Sequence, residues 1–230
     1  MMDRLEIDIW SDVMCPWCAI GYTQFTQAVE QLEGEIAVET RFMPFELNPD
    51  MPREGKPQDR HLAEVYGRTM EQVEAMRAQM LDVAARSGFP MDYVGRGTVL
   101  GEPPEPMMWN TFDAHKLLRW ALAGAGWEAQ TRLKLALLRA HFQQRLNISD
   151  RAVLLDIAAA EGFDRATAGE ALDDEALAIA VRLDEKRARD NGITSVPTFV
   201  VNGRYILQGA NEPHVFRSAL VKLASMDAAA

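Results

Sequence analysis

The first positions of the chain alternate between apolar and polar side chains. In "LEIDIW" the apolar residues Leu5, Ile7 and Ile9 alternate with Glu6 and Asp8. A period of two is typical of a strand that buries one of its faces. The sequence therefore predicts a strand at the start of the chain.

The spacing of the apolar residues changes after this strand. Phe25, Ala28 and Leu32 recur at helical spacing, and Pro16 stands where the first helical residue would be. Alternation returns in "IAVETRF", residues 36–42, before a segment too rich in proline to continue a strand. These patterns predict a β-α-β unit.

The middle of the chain favours helices almost throughout, and β character returns near its end. Helices are predicted near residues 69–86, 109–124, 128–144, 150–160, 165–172 and 174–190. After Gly192, "TFVV" and "RYIL" flank Asn202-Gly203, which is a strong hairpin signal. Asn211 can then cap a last helix that runs to about Ala224.

This element order predicts an α/β fold with a large insertion. Residues 1–50 and 191–230 would form one domain from the β-α-β and β-β-α units. Residues 51–190 would form an all-helical insertion domain. A chain of 230 residues is long enough to bury such a core without cross-links.

Composition narrows the classes of partner. The formal net charge is −10 and no compact block of Lys and Arg offsets it, which disfavours nucleic acid and anionic membranes. No apolar run approaches the roughly 20 residues that span a bilayer, and "MMDRLEIDIW" lacks the apolar region of a signal peptide. We therefore expect a cytoplasmic protein.

Cys15 and Cys18 are the only cysteines of the chain and lie in "CPWC". They could be a redox pair, half of a metal site or buried structural thiols. In a reducing cytoplasm this spacing favours catalysis or metal binding over a structural disulfide. A zinc site would need two histidines as further ligands, and the four in the chain form no HxxxH pair. No metal ligand set is predicted.

The position of the pair suggests how it could react. A thiolate is the attacking species, and the N–H groups and dipole at a helix N-terminus favour ionisation of Cys15. Cys18, one turn later, could resolve a mixed disulfide formed by Cys15. Pro16 fixes the first turn. Trp17 adds no positive charge beside the thiolate, so we expect a less oxidising couple than a histidine there would give.

The motifs also resemble a known family. "CPWC" at a strand-to-helix junction, with "VPTFVVNG" near the C-terminus, resembles the thioredoxin superfamily with an inserted helical domain, as in DsbA-like oxidoreductases. "DIWSDVMCPWCAIG", "FELNPDMPREG", "NTFDAHKLLRWA" and "GITSVPTFVVNGRYILQGA" are closer to its cytoplasmic FrnE-type branch. The resemblance covers nearly the whole chain and implies a thioredoxin-like fold.

The resemblance also implies site residues. Pro197 would be the cis-proline that faces the cysteines. Thr194, Ser195 and Val196 would contact an extended substrate segment through their backbone. Asp12 matches a family position, but an acid in a loop before a helix is expected to be solvated.

The function that follows is a thiol–disulfide oxidoreductase or isomerase that acts on protein or small-thiol substrates. It would need no bound cofactor, and glutathione is a candidate redox partner. One alternative is a glutathione-dependent enzyme like 2-hydroxychromene-2-carboxylate isomerase or the kappa-class transferases, although these relatives typically carry serine at the position of Cys15. Another is a chaperone-like module that holds unfolded chains in an apolar groove between the two domains.

Overall fold

The computed structural model describes residues 3–95 and 101–227. Within these ranges the elements are, in order, β1 (Asp3–Ser11), α1 (Pro16–Glu30), β2 (Ile36–Pro44), β3 (Lys56–Pro57), α2 (Gln58–Tyr66), α3 (Met70–Ser87), β4 (Met107–Met108), α4 (Phe112–Phe142), α5 (Arg151–Ala160), α6 (Arg165–Asp173), α7 (Glu175–Asp190), β5 (Thr198–Val201), β6 (Tyr205–Gln208) and α8 (Pro213–Asp227).

The main sheet has four strands in the order β2-β1-β5-β6. Strands β1 and β2 are parallel, with Leu5 opposite Val38, so the chain must cross over between them, and α1 makes that crossover. Strand β5 runs antiparallel to both β1 and β6. This is the predicted thioredoxin-like arrangement of β-α-β and β-β-α units, and the predicted fold class is confirmed.

The alternating apolar residues of β1 are buried on one face of the strand, as the sequence predicted. Leu5, Ile7 and Ile9 are at most 1 % exposed and join one apolar cluster with Phe25 of α1 and Phe216 of α8. Helices α1 and α8 therefore cover the same face of the sheet.

Among the described residues of the insertion, the helices are accompanied by one short pair of strands. Lys56 and Pro57 pair with Met108 and Met107 in an antiparallel ladder of two residues on each strand, which the all-helical prediction missed because so short a segment carries no periodicity. The sequence analysis also missed α2, a short helix that ends at Tyr66 with Gly67 as its C-cap residue. The predicted break between residues 124 and 128 is present inside α4, where Gly126 has φ 83° and ψ 177°.

Helix α4 joins the insertion to the sheet. Gln130 is fully buried, and its side chain accepts a hydrogen bond from the N–H of Phe42 and donates one to the carbonyl of Phe42, both at 2.8 Å. Because β2 is an edge strand, Gln130 satisfies backbone groups that would otherwise lie open. The division into residues 1–50 with 191–230 and 51–190 stays a proposal.

No helix in the described ranges is long and apolar enough to cross a bilayer.

Candidate active site

Both cysteines lie at the start of α1, directly after the loop that leaves β1. Cys15 is the N-cap residue, with extended φ and ψ of −87° and 115°, and Pro16 is the first helical residue. Both thiols are free, and Cys15 and Cys18 are 3 % and 2 % exposed. Trp17 between them is 46 % exposed. The motif therefore presents an indole to solvent and keeps its two sulfur atoms beneath the surface.

The loop before β5 packs against Cys15. The Val196–Pro197 peptide bond is cis. The sulfur of Cys15 lies 3.8 Å from the carbonyl oxygen of Val196. Thr194 and Ser195 are exposed, Val196 is half-buried and Pro197 is buried. The structure thus brings the predicted loop to the predicted thiol across 181 residues of sequence.

Gly21 makes this close approach possible. A Cβ atom at Gly21 would lie 2.9 Å from Cγ of Pro197 and 3.2 Å from Cα of Ala210. Any side chain here would push α1 away from the loop. The sequence analysis did not single out this glycine, because its contact lies far along the chain.

The ionisation of the dithiol differs from the expectation for Cys15. The thiol of Cys15 makes no capping hydrogen bond within the described chain. Instead its hydrogen bond to Cys18, together with burial, raises the pKa of Cys15 well above its ordinary value. Burial also acts to raise the pKa of Cys18, but the hydrogen bond from Cys15, the charge of Lys134 and the Ser11 hydroxyl outweigh it and lower that pKa. These opposite directions mean that the first proton to leave the dithiol is lost more readily from Cys18 than from Cys15.

Asp12 is buried, so the expectation of a solvated loop acid was wrong. It is 0 % exposed. Oδ2 accepts a hydrogen bond of 2.8 Å from the N–H of Leu47, and Oδ1 lies 3.4 Å from Nε2 of His115. Burial acts to raise the pKa of Asp12, but His115, the Leu47 N–H and the charge of Lys134 hold it below its ordinary value. A buried carboxylate therefore lies close behind the thiols.

Lys134 of α4 lies in the same buried group as Asp12 and the two cysteines. It is 0 % exposed, and its Nζ has no hydrogen-bond partner among the described residues. Burial lowers the pKa of Lys134 to about 8, and the neighbouring Cys18, Asp12 and Cys15 act to raise it. The sequence carried a signal that went unused, because "LKL" places this lysine between leucines of an apolar helix face.

The histidines divide as surface and core residues. His214 is exposed, whereas His61, His115 and His141 are buried. His141 lies near the same site, and burial lowers its pKa to about 4. Within the described ranges, no three or more His, Cys, Asp or Glu side chains are grouped so that they could hold a metal ion.

Comparison with known proteins identifies related chains. The family model of the DSBA-like thioredoxin domain matches residues 6–221. A probable DsbA oxidoreductase from Streptomyces coelicolor is 30 % identical, with a TM-score of 0.79 over 95 % of this chain and 89 % of that one. The uncharacterized protein YwbO of Bacillus subtilis is 27 % identical over 217 residues, 94 % of this chain and 96 % of its own.

A more distant structure shares the fold. The cytosolic disulfide reductase DsbM from Pseudomonas aeruginosa is 19 % identical, with a TM-score of 0.65 over 96 % of this chain and 99 % of that one. The same reductase is also known with GSH.

Proposed function

Because the chain belongs to the family of DSBA-like thioredoxin domains, we propose that it is a thiol–disulfide oxidoreductase of the cytoplasmic FrnE type. One observation carries this proposal. The only two cysteines of the chain lie within the first turn of α1, and the thiol of Cys15 lies 3.8 Å from the carbonyl of Val196 beside Pro197. A dithiol beside an extended loop is what disulfide exchange on a peptide requires.

The reaction has two displacement steps. The Cys15 thiolate attacks one sulfur of a substrate disulfide, forms the Cys15–substrate bond and releases the other sulfur as a thiolate. The Cys18 thiolate then attacks the sulfur of Cys15, closes the Cys15–Cys18 disulfide and releases the second substrate thiolate. The protein loses two electrons and two thiol protons, and the substrate gains them. The same steps in reverse oxidise a dithiol.

The shared proton links the two cysteines. Since the pair titrates as a unit, passing the proton from Cys15 to Cys18 exposes the attacking thiolate when a substrate arrives. After attack, Cys18 must lose that proton again before it can resolve. Cys15 can no longer donate a hydrogen bond once its sulfur is in the mixed disulfide, but the charge of Lys134 and the Ser11 hydroxyl remain beside Cys18, and both act to lower its pKa.

The substrate would bind along the exposed loop. We propose that an extended segment pairs with the backbone of Thr194, Ser195 and Val196, while Trp17 supplies apolar contact. Strand addition of this kind reads backbone rather than side chains, which suits varied protein disulfides. Glutathione is a second partner in this proposal, supported by the related reductase that is known with GSH.

The residues between the two cysteines favour reduction as the net direction. A couple is strongly oxidising when its reduced form is stabilised. Trp17 adds no positive charge that would stabilise the thiolate of the attacking Cys15. We therefore propose a potential closer to the roughly −270 mV of a reductant than to the roughly −120 mV of a strong oxidant.

The test is the reduction potential of the pair. The protein would be equilibrated in graded glutathione buffers, and its free thiols alkylated and counted by intact mass. A reversible intramolecular disulfide supports the proposal, and its potential gives the direction of net flow. If no disulfide forms at any ratio, the proposal fails, and glutathione-dependent isomerase or transferase activity becomes the next assay.

Single-thiol variants assign the roles. Cys15→Ser should abolish attack on a disulfide substrate, whereas Cys18→Ser should attack and remain trapped as the mixed disulfide. Full exchange activity in Cys15→Ser would contradict the mechanism. Suppression of aggregation that persists without both thiols would instead indicate a chaperone-like role.

A further inference from the structure

Lys134 is held close to the active site by the residues that flank it in α4. Leu133 and Leu137 are fully buried and belong to the same apolar cluster as Val13, which lies in the loop between β1 and Cys15. These contacts fix the register of α4 against that loop. The lysine between the two leucines cannot turn away to solvent without breaking them.

The next turn of α4 packs against α1, the helix that carries Cys18. Leu138 packs with Ala19 of α1 in a separate cluster. The Nζ of Lys134 lies 5.3 Å from the centre of the Phe42 ring in β2. The ammonium group is therefore enclosed between the edge strand of the sheet and the first turns of α1.

Two buried lysines of α4 differ in how their charge is compensated. Lys116 is 5 % exposed, and its Nζ donates a hydrogen bond to the carbonyl of Leu172. Lys134 has no such partner in the described chain. A buried ammonium is costly unless charged or hydrogen-bonding groups compensate for it. For Lys134 that compensation comes from Asp12 and the two thiols.

We propose that Lys134 is a positioning residue for the second displacement: its buried ammonium stabilises the Cys18 thiolate that closes the Cys15–Cys18 disulfide. Asp12 is a permanent negative neighbour of this lysine, whereas the thiolate is present only when Cys18 is ionised. The inference rests on the proposed exchange reaction and assigns part of the site to the insertion.

The charge does not take part in bond exchange. The electron pair of the Cys18 thiolate forms the new S–S bond to Cys15, and the electron pair of the broken bond leaves with the substrate thiolate. Lys134 gains and loses neither a proton nor an electron in this step. Its pKa of about 8 keeps it mostly protonated at neutral pH. His115, beside Asp12, and His141 are the other titratable groups of this buried region.

The first test measures the ionisation of Cys18 alone. In a Cys15→Ser background, the ultraviolet absorbance of the thiolate would be followed against pH for Lys134→Met and for the matched control Lys116→Met. We expect Lys134→Met to raise the pKa of Cys18 by about one unit, a tenfold loss of thiolate well below that pKa. Lys116→Met should leave it unchanged. If Lys134→Met leaves the pKa of Cys18 unchanged, or if both variants shift that pKa equally, the proposal is overturned.

The second test needs no substitution of Lys134. The ammonium of Lys134 would be titrated by NMR in the wild-type dithiol and in Cys18→Ser. If its charge interacts with the thiolate, its pKa must be lower in Cys18→Ser, since linkage is reciprocal. Equal pKa values would overturn the proposal. Neither test requires the disulfide to form, so failure of the exchange reaction would be recognised separately.

The rates of the two exchange steps then distinguish a positioning role of Lys134 from a purely structural one. With both cysteines present, Lys134→Met should attack a disulfide substrate at the wild-type rate but resolve the mixed disulfide about tenfold more slowly. A fall in both steps by the same factor would indicate general damage and contradict the assigned role.

Discussion

Two successive N–H groups after β2 each donate to a carboxyl group in a different buried cluster. The N–H of Leu47 donates to Asp12 at 2.8 Å, and that of Glu46 donates to Glu185 at 3.1 Å. The side chains of Asp12, Glu46 and Glu185 are at most 1 % exposed. The three carboxyl groups are therefore almost equally buried, and they differ in the charged groups that surround them.

The pKa values of the buried acids in the two clusters are shifted in opposite directions. Asp12 faces Lys134, His115 and backbone donors, which outweigh burial and lower its pKa. Burial and then the charge of Glu185 raise the pKa of Glu46 to about 8, and Arg182 only partly opposes them. The sign of the neighbouring charge, more than depth, decides whether a buried acid is ionised at neutral pH.

The two clusters also differ in whether they act on the dithiol. The charge of Asp12 is one of the causes that raise the pKa of Cys15, so the ionised cluster acts on the dithiol. The Glu46 cluster joins α7 to the end of β2, with Arg182 also stacked 3.8 Å from the centre of the Phe112 ring. We expect the first cluster to influence the chemistry and the second to influence stability.

Removing the charge of Asp12 should have the largest effect. Asp12→Asn leaves the buried Lys134 without its permanent counter-charge and loses one acceptor oxygen, so we expect a loss of about 3 kcal/mol at pH 7, measured by urea unfolding. Because the folded pKa is lowered, this contribution is present above the ordinary value of 3.8 and is lost as pH falls through the folded value. Asp50→Asn, at an exposed position, is the control. An equally small loss of stability in both variants would contradict the prediction that Asp12 is ionised in a buried cluster.

Removing the cation of the second cluster should have a smaller effect. Arg182→Met leaves Glu46 and Glu185 without a positive partner, and we expect a loss of about 2 kcal/mol at pH 7. Arg165→Met, which breaks an exposed ion pair with Asp156, should cost under about 1 kcal/mol. Unfolding curves that do not separate these two variants would contradict the prediction.

Neutralising Glu46 should stabilise the protein. Since its folded pKa of about 8 exceeds the ordinary 4.5, wild-type stability falls as pH rises from about 4.5 to about 8. Glu46→Gln removes this slope, so we expect equal stability near pH 4 and a gain of at least about 1.4 kcal/mol at pH 8, the equivalent of one pKa unit. Parallel stability curves across this range would show that Glu46 is ionised when folded.

The coupling between the clusters should be the smallest effect. Asp12 is the last of the causes that raise the pKa of Glu46. The gain from Glu46→Gln should therefore be about 0.5 kcal/mol smaller in an Asp12→Asn background. A double-mutant cycle at pH 8 measures this difference. Strict additivity would mean that the two clusters are electrostatically independent.

Local patterns in the sequence predicted most of the secondary structure. Strand β1 buries Leu5, Ile7 and Ile9 on one face, as their alternation predicted. The hairpin around Asn202-Gly203 joins β5 and β6, and Gly126 interrupts α4 where a break was predicted. The short α2 and the pair β3–β4 were missed, because so few residues carry little periodicity.

The site was predictable only in part. Cys15 and Cys18 were evident because their spacing is local and they are the only thiols. The burial of Asp12 was not evident, because it depends on Leu47 and on His115 of the distant helix α4. Lys134 was missed for the same reason.

The sequence by itself determined where most of the helices and strands form and which helical turn carries the thiols, since these depend on neighbours a few residues away. Tertiary structure alone decided in which direction the pKa of each cysteine is shifted, whether Asp12 is charged and what compensates the charge of Lys134. Ionisation depends on burial and on charges a few ångströms away in space, and the contact between Cys15 and Val196 spans 181 residues of chain. Only the folded chain brings such groups together.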